Sequence, residues 1–268
     1  MKKRVGKTRL IKTKLFGYNL YIKDESRNPF GTYKDRRSEL IIKKARKNKI
    51  KKLVIISSGN ACYSLARFTK GSKIQLVCIV DIKIKKKIKN IIKKYSHKIL
   101  EVDLNKKILS QKEIINLARE RRDERILNVS TGFHQTGMDI IKELKNEKPD
   151  YVIVPIGSGE TFVGLYYGIK KYGLKTILIG VGVKNKIKSF ADKLHTIHTP
   201  YQNEIKKIVK KGNKLILLNE KEVREAYDKF KKMVKCEPSS AVVLGAFKKI
   251  KFKKEDKIIV INSGKGVI

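Results

Sequence analysis

Apolar and polar positions fall into short blocks whose period switches between two and three to four residues, and these blocks predict a regular succession of strands and helices. Thr8-Arg9-Leu10 followed by Tyr18-Asn19-Leu20-Tyr21-Ile22-Lys23 has the pattern of a hairpin. In Asn28-Pro29-Phe30-Gly31, Pro29 fixes φ and Gly31 tolerates a strained backbone. Thr32 is then a cap for a helix through Arg37-Ser38-Glu39-Leu40-Ile41-Ile42 to Arg46.

The same alternation continues. Leu53–Ile56 predicts a strand, Ala61–Lys70 a helix and Ile74–Val80 a strand. Ile84, Ile88, Ile91, Ile92 and Tyr95 share one face of an amphipathic helix with lysines opposite. Strand Ile99–Val102, helix Ser110–Arg121 and strand Ile126–Val129 follow, and a further helix starts within Thr131–Ile140. Tyr151–Pro155 is an apolar strand, Phe162–Tyr172 a helix and Thr176–Val181 a strand. Residues 183–214 carry the weakest pattern and are read as a surface or substrate-lid segment. Asn219 caps a helix reaching Val234, a second helix opens at Cys236–Ala241 and runs through Lys249, and Lys257–Ile261 is the last strand. Strands alternating with helices argue for an α/β protein with parallel sheets.

The chain has 268 residues, enough for one large domain or two small ones with a sizeable core. Its apolar runs are strand-sized, and Met1-Lys2-Lys3-Arg4 leads into no apolar signal core, so no membrane association and a cytoplasmic location are expected. Cys62, Cys78 and Cys236 have neither CxxC nor zinc-ligand spacing and are read as reduced thiols. The formal charge of +40 invites a nucleic-acid reading. Basic residues nevertheless run from Lys2 to Lys265 and alternate with isoleucine instead of clustering with aromatics, so they are read as a solvated surface of thermophile-like composition, with no specific nucleic acid as partner.

Three loops carry candidate chemistry. Lys34 falls at a helix start, where the macrodipole opposes positive charge and favours the neutral amine that reacts with an aldehyde. Ser57-Ser58-Gly59-Asn60 joins a strand to a helix, an arrangement that binds anions, although an ordinary helix cap has the same appearance. Ile156-Gly157-Ser158-Gly159-Glu160-Thr161 is a phosphate cradle by its glycines and by the helix behind it. It lacks the further glycine and acidic residue of a dinucleotide fingerprint. Gly6-Lys7-Thr8 lacks the upstream glycine of a P-loop, and His195 and His198 lack a nearby third ligand and are set aside as a zinc site. His134 is kept out of the catalytic set, and Cys62 is read as a small buried thiol.

Lys23–Pro29 with Gly31-Thr32-Tyr33-Lys34-Asp35-Arg36, Ser57–Ala61, Gly157–Thr161, Glu237–Ala241 and Asn262–Gly264 occur in the order found in the fold-type II pyridoxal-phosphate enzymes, the tryptophan synthase beta superfamily. The chain resembles that superfamily, and threonine synthases look most similar. Phe30, Arg9 and Glu160 depart from the family pattern, Glu160 by replacing a cradle glycine. Its carboxylate is expected either to face the phosphate, which would weaken cofactor binding, or to turn to solvent.

The resemblance implies a two-lobed α/β architecture of parallel sheets flanked by helices. A large cofactor lobe is expected at residues 1–44 and 136–268 and a smaller inserted lobe at 45–135, with pyridoxal 5'-phosphate in the cleft between them. It further implies that Lys34 holds the cofactor covalently and acts as the catalytic base. Asn60 meets the ring hydroxyl oxygen, Gly157, Ser158, Gly159 and Thr161 hold the phosphate, Ser263 meets the ring nitrogen, and Ser57, Ser58 and Gly59 receive the substrate carboxylate. Glu237 is expected near the ring. The implied reaction is β- or γ-elimination or replacement on a small amino acid, phosphorylated or not, as in threonine synthase. Cysteine- or cysteate-synthase-like replacement, serine or threonine deamination, and a non-catalytic basic scaffold of the same fold stand as alternatives. A homodimer is compatible with the family, and no metal is expected.

Overall fold

The structure, a computed structural model, describes residues 4–57, 59–104, 106, 108–185, 188–194 and 199–266. Strand β1 (Leu10–Leu15) turns back into β2 (Tyr18–Asp24), and α1 (Lys34–Lys47) follows the Asn28–Gly31 turn. Alternation then gives β3 (Lys52–Ile56), α2 (Asn60–Thr69), β4 (Gln75–Asp81), α3 (Lys86–Lys93), β5 (Lys98–Val102), α4 (Gln111–Ala118) and β6 (Ile126–Asn128). The remainder comprises α5 (Gln135–Leu144), β7 (Tyr151–Pro155), α6 (Glu160–Lys171), β8 (Ile177–Val183), α7 (Gln202–Lys210), β9 (Lys214–Leu218), α8 (Glu220–Phe230), α9 (Pro238–Ala241) and β10 (Ile258–Asn262). The chain divides into two compact units, one of Met1–Tyr33 and Phe133–Gly266, the other containing Lys34–Gly132.

The first unit is built on a six-stranded sheet in the order β1-β2-β10-β7-β8-β9, parallel except for the β1–β2 hairpin. Because side chains alternate across a strand, each central strand feeds two cores. Ile153, Ile179, Val181, Ile258 and Val260 pack with Val223, Phe230 and Val242 on one face. Val152, Val154, Ile259 and Ile261 pack with Ile140, Phe162 and Ile205 on the other. Gly180 leaves the room that the Phe162 ring takes: a Cβ there would lie 3.1 Å from two ring carbons.

The second unit holds a four-stranded, wholly parallel sheet in the order β5-β4-β3-β6. Val54, Val77, Ile79, Ile114 and Ala118 form a buried cluster on it. Lys52, 3% exposed, is paired with Glu120 and Glu124 at 2.9 and 3.0 Å. Burial alone would pull its ammonium down, but the two carboxylates outweigh it and the lysine is raised above its ordinary value.

Two expectations need correction. Residues 202–210 form a helix where a surface or lid segment was expected, and it buries Ile205 and Ile208. The helix expected from Cys236 through Lys249 is a single α-turn, Pro238–Ala241, that tightens into a 3-10 helix over Val242–Lys248. Among the described residues no helix is long and apolar enough to cross a membrane.

Candidate functional site

In the first unit, parallel neighbours β7 and β10 deliver two of the expected loops at their C-terminal ends. After β7, Gly157 and Ser158 lead to Gly159, the N-cap of α6, at φ +91° and without a side-chain cap. A helix start presents N–H groups that lack intrahelical acceptors, so this loop is suited to an anion. Thr161 is buried in the first turn.

Glu160, the first residue of α6, is 5% exposed and so does not turn to solvent. Its Oε1 accepts the amide of Phe133 at 2.9 Å and the hydroxyl of Tyr201 at 3.2 Å. Helix α7, missed in the sequence, supplies the covering: a Cβ on Gly159 would lie 2.5 Å from Ile205 Cδ1 and 3.3 Å from Tyr201 Cβ. Two turns further along α6, the Tyr167 hydroxyl donates to Glu204. The His134 ring lies 5.7 Å from that of Tyr167.

Ser263 follows β10, and a buried polar network holds its backbone. Its amide donates to Ser240 Oγ at 2.7 Å, and Ser240 Oγ donates to Asn262 Oδ1 at 2.7 Å. Asn262 Nδ2 in turn donates to Asp24 Oδ1 at 2.8 Å and to the Lys235 carbonyl at 3.0 Å. The Ser263 carbonyl accepts the Tyr33 amide at 2.9 Å and the Thr32 hydroxyl at 3.3 Å. Lys34 is the next residue in the chain. Glu237 donates its amide to the Gly264 carbonyl at 3.0 Å. Burial, together with the Glu237 and Asp24 carboxylates, pushes the Cys236 thiol up to about 12, so no thiolate nucleophile stands beside this loop at neutral pH.

In the second unit, Lys34 is the half-buried first residue of α1, and Asn60 is the first residue of α2, 8% exposed. Asp35, immediately after Lys34, accepts the Ser64 hydroxyl of α2 at 2.6 Å, and Ser38 and Ser64 hydroxyls lie 2.8 Å apart. The two helices that begin with Lys34 and Asn60 are therefore fastened by buried polar contacts. Ser57 Oγ accepts the Gly59 amide at 3.2 Å, and Gly59 adopts φ 152° and ψ −81° ahead of α2. Ser58, His195 and His198 lie outside the described residues. Among the described residues no group of three His, Cys, Asp or Glu could hold a metal ion.

A family model described as pyridoxal-phosphate dependent enzyme matches residues 1–264. The chain belongs to this family. It is similar to the threonine synthase of Halalkalibacterium halodurans, 26% identical over 171 residues that cover 60% of this chain and 46% of that protein. It is also similar to the threonine synthase of Methanocaldococcus jannaschii, 23% identical, with 92% of this chain and 70% of that protein covered. The chain thus spans less than half the length of the first of these relatives. Its fold is similar to that of O-ureido-L-serine synthase, with a TM-score of 0.78 at 14% identity over 98% of this chain and 90% of that one. Serine racemase from Dictyostelium discoideum gives a TM-score of 0.78 at 20% identity, with 98% and 93% covered.

The architecture of this pyridoxal-phosphate-dependent family member is fold-type II, and its cofactor is pyridoxal phosphate. Each unit carries side chains whose chemistry suits that group: one a hydroxyl at Ser263 and an uncapped glycine-led helix start at α6, the other a primary amine at Lys34 and a carboxamide at Asn60.

Proposed function

We propose that the protein is a pyridoxal-phosphate-dependent lyase or transferase acting on a small amino acid by β- or γ-elimination or replacement, in the manner of a threonine synthase. Similarity to two threonine synthases supports the substrate class, and the excess of basic residues suits a phosphorylated substrate. The observation that carries the chemistry is Lys34 at the first residue of α1, directly after the Thr32 and Tyr33 contacts to the Ser263 carbonyl.

When bound, pyridoxal phosphate supplies an aldehyde that links to an amine and a conjugated ring that draws electrons from bonds at the substrate's α-carbon. Lys34 Nζ is the amine that holds the cofactor and the base that takes and returns a proton at that carbon. Gly157, Ser158, Gly159 and Thr161 hold the phosphate at the start of α6. Asn60 orients the ring through its hydroxyl oxygen. Ser57, Ser58 and Gly59 receive the substrate carboxylate. The Ser263 hydroxyl meets the ring nitrogen, and a neutral partner leaves that nitrogen largely unprotonated, which suits elimination or replacement.

The visible absorption spectrum with added pyridoxal phosphate, compared with Lys34→Ala, tests this reading. A long-wavelength band is expected in the parent and not in the variant. No band in either at saturating cofactor overturns it and leaves a non-catalytic basic scaffold of the same fold. Phosphate release from a phosphorylated γ-hydroxy amino acid separates the threonine-synthase reaction from β-replacement on an activated serine and from deamination, which releases ammonia.

A further inference from the structure

Helix α6 begins with an acidic residue of its own. The Glu160 carboxylate is buried at the N-terminal end, where aligned N–H groups favour negative charge. Taking a carboxylate out of water is costly unless hydrogen bonds compensate, and here Phe133 and Tyr201 both donate to Oε1. Ile205, one turn beyond Tyr201, packs over Gly159 at this helix start. A fixed charge in such surroundings is screened less than one in water, so it acts on any second anion at the same helix end.

We infer, on the proposed reading of residues 157–161 as the phosphate cradle, that Glu160 is a positioning residue whose resident negative charge weakens the cradle's hold on phosphate, with Phe133 and Tyr201 fixing where that charge stands. A glycine in its place would carry no charge. Glu160 instead makes the helix start partly self-neutralised, so cofactor phosphate binds less tightly and exchanges more readily.

Glu160→Gln separates charge from shape, because a glutamine Oε1 still accepts from both Phe133 and Tyr201 while the charge is gone. Dissociation constants for pyridoxal phosphate and for unphosphorylated pyridoxal are measured by absorbance titration of parent and variant, with melting temperatures to check folding. The variant is expected to bind pyridoxal phosphate about tenfold more tightly and pyridoxal unchanged. An unchanged or weaker affinity for pyridoxal phosphate, or an equal shift for both ligands, overturns the assignment. Should Glu160→Gln fail to fold, Tyr201→Phe removes one neutralising donor and is expected to weaken pyridoxal phosphate a few-fold with pyridoxal unchanged. An unchanged ratio there is equally decisive against it.

Inorganic phosphate is also titrated against Lys34→Ala with and without Glu160→Gln, where no covalent link forms. Tighter phosphate binding with Glu160→Gln and no cofactor band in the parent overturns the proposed function alone. A normal band in the parent and no change in phosphate affinity overturns the role of Glu160 alone.

Discussion

Ser240 Oγ accepts the backbone amide of Ser263 at 2.7 Å, so a fully buried hydroxyl on α9 fixes the loop that follows β10. The same hydroxyl donates to Asn262 Oδ1. Ser240→Ala leaves two buried polar groups short of a partner, and each costs roughly 1–3 kcal/mol. Urea unfolding is expected to show a loss in that range or above, with little change in slope.

Helices α5 and α6 approach closely because Gly137 has no side chain. A Cβ there would lie 2.7 Å from the Gly164 carbonyl carbon and 2.8 Å from the Thr161 oxygen. Since the clash is with backbone, it cannot be relieved by a rotamer change. Gly137→Ala is expected to cost about 1–3 kcal/mol or more and to lower the melting temperature, and it pushes on the first turn of α6.

Glu124 gives the second unit an acid-sensitive contact. The Glu120 amide first, and then the Lys52 ammonium, hold its carboxyl at about 2, against an ordinary 4.5. A depressed carboxyl stabilises the folded state above its unfolded value, and that contribution disappears as pH falls through the folded one. Glu124→Gln is therefore expected to be less stable than the parent near neutrality. The gap should narrow between pH of about 5 and about 2 in guanidinium melts at each pH.

The three cysteines are expected to be silent in the folded protein. Cys62 and Cys78 are buried, burial raises the Cys78 thiol well above its ordinary value, and Cys236 is held near 12. A charged thiol reagent at neutral pH should label none within minutes and all three after unfolding, as read by mass. Prompt labelling of Cys236 would contradict its raised value.

Strand and helix order was legible because the buried strands are runs such as Tyr151–Pro155 and Ile258–Asn262, bounded by glycine, serine and proline. Helix α7 was not, since its two buried isoleucines, Ile205 and Ile208, stand among Lys206, Lys207 and Lys210, and its packing partner Gly159 is far away in sequence. Lys34 was legible as a helix start, and Asn60 as the turn residue just before one, a single position from where α2 begins. The setting of Ser263 was not: Ser240, Asn262 and Asp24 are ordinary polar residues in sequence, and only the pairing of β10 with β2 brings Asn262 to Asp24. Glu160 was flagged as a departure, but its buried partners depend on a turn 27 residues upstream and a helix 41 residues downstream.

Strand β10 lies between β2 and β7, so the N-terminal hairpin joins the rest of its sheet only through a segment translated more than two hundred residues later. On the ribosome, the four strands of Lys34–Gly132 emerge as one uninterrupted stretch and can pair while synthesis continues. The β1–β2 hairpin must meanwhile wait with an open edge, a period in which a chaperone or a neighbouring nascent chain competes for it.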